Sequence, residues 1–236
     1  MAHLSPRSLR RPGSEADPQG RPQLFGAGLV KTIVYVDGFN LYYGALRGTP
    51  YKWLDVVALC QALLPRHVVT GVKYFTARVS PRESDPQQRT RQQVYLRAIQ
   101  ARSPVEIVLG HFLTTRVRMP VADGSVGRPR FVWVTKTEEK GSDVNLATHM
   151  VVDAFRGRFE AAVVISNDSD LVEPVRVVRK ELGLVVGVLN PHPRPSRELL
   201  RHASFVKPIR QGALAANQLP DRLKDGHGTI HRPVGW

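Results

Sequence analysis

"VYVDGFNLYYGAL" occupies Val34–Leu46, and the fold hangs on how it is read. Ile33-Val34-Tyr35-Val36 is apolar and β-branched enough to form a buried strand. The strand then stops on Asp37, followed by Gly38 and by an Asn40 that can open a helix. Aspartate is a good turn former and helix cap, so local structure alone could account for it. A carboxylate at the mouth of a sheet can also hold a ligand. Companions at the same edge of the sheet would decide between the two.

Other short, β-branched runs bounded by breakers predict strands over Thr32–Val36, Val69–Val79, Val105–Leu109, Ala162–Ser166 and Leu184–Leu189. Helical patterning falls between them at Trp53–Leu64, Pro86–Ala101, Ser142–Phe155 and Asp170–Leu182. This alternation predicts an α/β fold with a parallel or mostly parallel sheet. In such sheets ligands bind outside the carboxyl ends of the strands, above all where the strand order reverses. An order 3-2-1-4-5 makes the first and fourth predicted strands neighbours at that point.

The fourth strand also runs into acids, in "VVISNDSDLVEPV", with Asp168 and Asp170 just past its end. A third acid, Asp143 of "TEEKGSDVNLATHMVVDAF", falls in the first turn of the preceding helix, where the helix N-terminus favours negative charge. A right-handed crossover places that N-terminus on the same sheet edge. Asp153 lies ten residues later, roughly 15 Å along the axis, and is expected in a structural hydrogen bond or on the solvent side. Gathered carboxylates repel one another unless protonated or bridged by a cation. Oxygen-only ligands favour Mg²⁺ or Mn²⁺ over zinc, and such ions activate water and stabilise charge on a phosphodiester. Asn40 and Lys140 are expected to contact phosphate or orient a water.

The 236 residues carry a net charge of +14, of which the stretch 31–206 holds +9. That excess predicts a polyanionic partner, with nucleic acid foremost. Residues 111–136 interrupt the alternation with "HFLTTRVRM" and "RPRFVWVTK", joined through an Asp123-Gly124 turn signal, and predict an inserted β-hairpin. Its Arg116, Arg118, Arg128 and Arg130 interleave with Phe112, Phe131 and Trp133, a pattern suited to phosphates and bases. Cys60 is the only cysteine, which excludes an intrachain disulfide and a cysteine-built zinc site. It is expected to be a buried filler, and His67, His111, His149 and His192 are read as ordinary surface or boundary residues. Residues 1–30 read as a disordered basic extension without a secretory h-region, and residues 210–236 as a disordered tail. No run approaches a membrane span, so a cytoplasmic protein is expected.

Three blocks together, "VYVDGFNLYYGAL", "KGSDVNLATHMVVDAF" and "VVISNDSDLVEPVRVV", resemble the signature blocks of NYN-domain proteins within the PIN-like nuclease superfamily. The resemblance spans roughly 31–209. It implies a Rossmann-like α/β/α sandwich and a metal-dependent endoribonuclease acting on single-stranded regions of RNA, with a homodimer as a candidate assembly. By motif position it assigns Asp37, Asn40, Asp143, Asp168 and Asp170 to an acidic, metal-associated site. Asn167 stands where glycine is common, and its tolerance of positive φ would accommodate the change. The alternative is an RNA-binding or regulatory module that keeps the metal pocket without cutting. A haloacid-dehalogenase-like phosphatase also ends its first strand on Asp, but its chemistry wants a second carboxylate where Phe39 stands.

Overall fold

A computed structural model describes residues 29–102, 104–121 and 131–236. The basic extension, apart from its last two residues, and two of the four hairpin arginines, Arg128 and Arg130, lie outside the described residues. The chain opens with β1 (Val30–Asp37), α1 (Gly38–Leu41, continued by a wider turn to Leu46), α2 (Val56–Leu63), β2 (His67–Thr76), α3 (Gln88–Gln100) and β3 (Val105–Leu109). A hairpin of β4 (His111–Pro120) and β5 (Phe131–Lys140) follows. Next come α4 (Ser142–Phe155), β6 (Ala161–Ile165), a helical stretch through Ser169–Glu181 whose α-helical part is α5 (Val172–Arg176), and β7 (Val185–Asn190). The chain continues with α6 (Arg197–His202), β8 (Phe205–Pro208), α7 (Gln211–Ala216), β9 (Arg222–Asp225) and β10 (Gly228–His231).

Six strands form one parallel sheet in the order β3-β2-β1-β6-β7-β8. The expected order 3-2-1-4-5 is present, with β8 added at the edge. Buried residues alternate between its faces. Val34, Val36, Val163 and Ile165 pack toward α2 and α3, while Ile33, Tyr35, Ala162 and Val164 pack toward α4 and α5. Two apolar faces on β1 and β6 require helices on both sides, which makes the fold an α/β/α sandwich. Cys60 is fully buried in the first of these cores.

The segment expected to be a disordered tail is folded. Leu214, Leu219 and Ile230 are buried in the core shared with α2 and α3. Leu219 N–H donates to Trp53 O (2.8 Å), Trp53 Nε1 donates to Pro220 O (2.9 Å), and Arg97 grips Asp225 (2.6 Å). Isolated leucines and a tryptophan, spread among Gly, Pro and charged residues, gave no periodicity, because this segment is shaped by the surface it covers. The hairpin exists as expected but runs on to Lys140, pairing His111 through Pro120 with Lys140 through Phe131.

Candidate active site

Asp37 both caps a helix and lines a cavity. Its Oδ1 accepts from Asn40 N–H (2.9 Å), closing the N-terminus of α1, and its Oδ2 accepts from Ser166 Oγ (3.0 Å) at the end of β6. Such a cap is worth about 1 kcal/mol. Gly38 is obligatory here, since a Cβ would lie 2.6 Å from the Tyr74 ring and 2.8 Å from Phe75 O. The loop after β6 is tied to the same point. Ser166 Oγ accepts from Asp168 N–H (3.1 Å), and Asn40 Oδ1 accepts from Asn167 N–H (2.9 Å). Asp168 Oδ1 caps the next turn through Asp170 N–H (3.0 Å).

Asn167 is not in the left-handed region, because among the described residues positive φ occurs only at glycines. Its side chain explains the residue instead. The carboxamide donates to Arg194 O (3.0 Å) and accepts from Ser196 N–H (2.6 Å), fastening the loop between β7 and α6 to the site.

Asp37, Asp143 and Asp168 line one cavity of about 850 Å³, as predicted from their shared edge of the sheet. Glu139 joins them, a residue hidden in the sequence because the predicted strand ended at Lys136. It sits one residue before the end of β5, and its Oε1 accepts from Ser142 N–H (3.1 Å) and Oγ (2.7 Å) at the start of α4. Gly110 lets the chain pass this carboxylate, since a Cβ there would lie 2.5 Å from Glu139 Oε1. Asp170 is exposed and outside the cavity wall, but its charge still reaches Asp143.

The electrostatics fit a cation. Burial, then the charges of Asp37, Asp168, Glu139 and Asp170, push the half-buried Asp143 carboxyl up to about 6. Burial also raises Asp37, against the two hydrogen bonds that lower it and with Asp168 and Glu139 adding to the rise. Asp143 makes no hydrogen bond or ion pair within the described residues. Among those residues, no three acidic, imidazole or thiol groups converge closely enough to hold one ion together. Four direct aspartate ligands, as the sequence suggested, are therefore not assembled. The donor set suits a hydrated Mg²⁺ or Mn²⁺, which keeps several waters and takes one or two carboxylates.

The other expected site residues divide. Asn40 lines the cavity and keeps its Nδ2 without a partner among the described residues. Lys140 does not line the cavity. It lies 3.7 Å from Glu138 and, by the pairing register, on the hairpin face opposite Glu139. Arg116 and Arg118 share the face of Phe112 and Glu139, the one that meets the cavity. Arg116 lies over Trp133 (5.8 Å) and Arg118 over Phe131 (5.0 Å). His192, read as an ordinary histidine, lines the cavity, seated so that a Cβ on Gly44 would come within 2.6 Å of its ring.

The sequence pattern of the NYN domain matches residues 31–209. The chain belongs to the NYN-domain family. The chain is 31% identical, over 88% of its length and 75% of the relative's, to 6-hydroxy-3-succinoylpyridine 3-monooxygenase HspA of Pseudomonas putida (strain DSM 28022 / S16). A solved Vibrio parahaemolyticus protein of unknown function shares the fold with a TM-score of 0.50 at 20% identity, over 78% of this chain and 94% of that one. No described helix of the NYN domain is long and apolar enough to cross a membrane.

Proposed function

We propose that the protein is a Mg²⁺- or Mn²⁺-dependent endoribonuclease that hydrolyses phosphodiester bonds in single-stranded RNA. The observation that carries this reading is the unpartnered Asp143, pushed up by burial and then by the negative charges around it at the cavity shared with Asp37 and Asp168. Asp143 and Asp168 would hold the ion, with Asp37 fixed behind them by Ser166 and Asn40. The ion, when bound, lowers the pKa of an attacking water and offsets the charge of the phosphodiester. Asn40 Nδ2 is free to donate to a phosphate oxygen at the cavity, and Glu139 keeps the start of α4 in place. The cavity face of the hairpin, with Arg116 and Arg118 each over a ring, gives a single strand both phosphate partners and stacking partners. Purified protein should cleave unstructured RNA when Mn²⁺ or Mg²⁺ is added and not with EDTA, and the Asp143→Asn variant should be inactive. Wild-type protein free of contaminating nuclease that leaves such RNA intact with either ion would sink the reading.

A second reading is oxygenation of a small heteroaromatic compound. It is favoured by the name of the 31% identical relative and by the aromatic wall of the cavity. Oxygen uptake on addition of 6-hydroxy-3-succinoylpyridine with a reduced nicotinamide as electron donor separates it from RNA cleavage.

A further inference from the structure

The cavity extends beyond the acidic cluster, and the rest of its lining has a different chemistry. Tyr74, Tyr95 and Trp236 form a chain of ring contacts along one wall, with centroids 6.3 Å and 5.5 Å apart. Tyr95 is fixed by donating its hydroxyl to Leu54 O (3.1 Å). Tyr74 differs. It is only 4% exposed, lines the cavity, and its hydroxyl has no hydrogen-bond partner among the described residues. Among the described residues only Gln218 Oε1 is both sealed from solvent and unsatisfied, so the Tyr74 hydroxyl opens onto the cavity it lines and is available to donate there. Burial and the nearby charge of Asp37 keep it protonated, so it is a donor.

The same cavity is also lined by cations that do not pair with the acidic cluster. Arg91 is tied to Asp85. Half-buried Lys52 and exposed Arg82 have no acidic partner among the described residues. Cations without acidic partners, aromatic rings in edge-on and tilted contact along a wall and an unpartnered hydroxyl open to the cavity define a ligand with three matching parts.

We propose that this aromatic and cationic part of the cavity lining is a subsite for a planar aromatic ring bearing an anionic group, with the ring on the Tyr95–Trp236 wall, the anion on Lys52 and Arg82, and a ring acceptor atom on the Tyr74 hydroxyl. A pyrimidine nucleotide of an RNA strand presents this chemistry, and so does a free heteroaromatic acid. The subsite requires neither metal nor turnover, so it stands or falls separately from the nuclease reading.

The test is calorimetric titration of the full-length protein in EDTA, where the uncompensated acids repel anions. The probes are uridine 5′-monophosphate, nicotinate, uridine and inorganic phosphate. At least one ring-bearing anion should bind about tenfold or more tightly than uridine or phosphate, because two recognition elements act at once. Replacing both cations (Lys52→Ala with Arg82→Ala) should weaken that ligand about tenfold or more and leave uridine unchanged. Tyr74→Phe, which keeps the ring packing, should weaken it by about two- to tenfold. Preference for the nucleotide identifies an RNA subsite, and preference for nicotinate a small-molecule pocket; both support the proposal. Neither ring-bearing anion binding better than uridine or phosphate, or affinity unchanged in the double variant, would overturn it.

Discussion

Helix α4 carries two aspartates ten residues apart, and their surroundings are opposite. Asp153, near its C-terminal end, is 1% exposed and fully partnered. Its oxygens meet Lys73 Nζ (2.6 Å), Tyr35 OH (2.8 Å) and Arg158 Nη1 (2.9 Å). Burial alone would raise its pKa, but these partners hold it below the ordinary carboxylate value. Asp143, in the first turn, has no partner among the described residues, and burial and the neighbouring acids push it up to about 6. One carboxylate has its counter-charges built into the fold, and the other has them left out. A deficit of positive charge at a cavity stands out on a chain whose net charge is +14, and it is the feature on which the proposed cation site rests.

The sharpest break of this contrast is to neutralise each end in turn. Asp143→Asn should lower RNA cleavage by at least about 10³-fold, on the order of 4 kcal/mol in the barrier, while RNA affinity stays level or rises. Single-turnover kinetics beside a binding titration would check both halves. Asp153→Ala should instead cost about 3–5 kcal/mol of stability, because it strands Lys73 in the core. Urea melts should show this loss, with cleavage per folded molecule nearly unchanged.

The two sites should also respond to pH in opposite directions. The folded pKa of Asp143 is raised, so its proton is held more tightly folded than unfolded. Its contribution to stability is intact below about pH 4 and is lost as pH rises through about 6. Asp153, whose folded pKa is depressed, contributes stability above the unfolded value that is lost as pH falls through the folded one. The Asp143→Asn variant should therefore gain on the wild type between about pH 4 and pH 7 in metal-free melts. Mn²⁺ affinity of the wild type, limited by the same proton, should rise by up to about tenfold per pH unit below about 6 and level off above. A pH-independent affinity over that range would remove Asp143 from the ion's ligands.

Smaller effects test the edges of the site. Arg116→Ser with Arg118→Ser should raise KM more than it lowers kcat, and should reduce the log–log salt slope of RNA binding by about 0.7 for each phosphate that is no longer neutralised. An unchanged slope would make the hairpin a merely solvated ribbon. Asp37→Asn should abolish metal-dependent cleavage yet move stability by no more than about 1 kcal/mol. Relief of repulsion from Asp168 is offset there by the weakened bond to Ser166. A larger loss in thermal melts would make Asp37 chiefly a structural cap.

Much of the architecture was legible because it rests on local pattern. The β-branched run before Asp37 had to be a buried strand, and the acids ending two such runs pointed to one sheet edge. The boundaries Ser142–Phe155 followed from helical spacing and an acid in the first turn. The full extent of β5 was not legible, because "TEEK" after Lys136 reads as polar loop and becomes strand only by pairing with β4. Glu139 was missed for that reason, and Lys140 was misplaced onto the cavity for the same one. In a strand, a one-residue step reverses the face.

The sequence by itself determined the layers and the acidic edge, since hydrophobic period and strand-end chemistry are encoded residue by residue. Only the tertiary structure decided the aromatic and cationic part of the cavity lining. Tyr74 from β2, Tyr95 from α3, Lys52 from the loop before α2 and Trp236 from beyond the last strand come from four separate parts of the chain. They meet because residues 211–236 fold back over the core, and that fold-back is held by scattered bonds such as Trp53 to Pro220 and Arg97 to Asp225. Pairings between residues so distant in the chain leave no period in it, so nothing local could announce them.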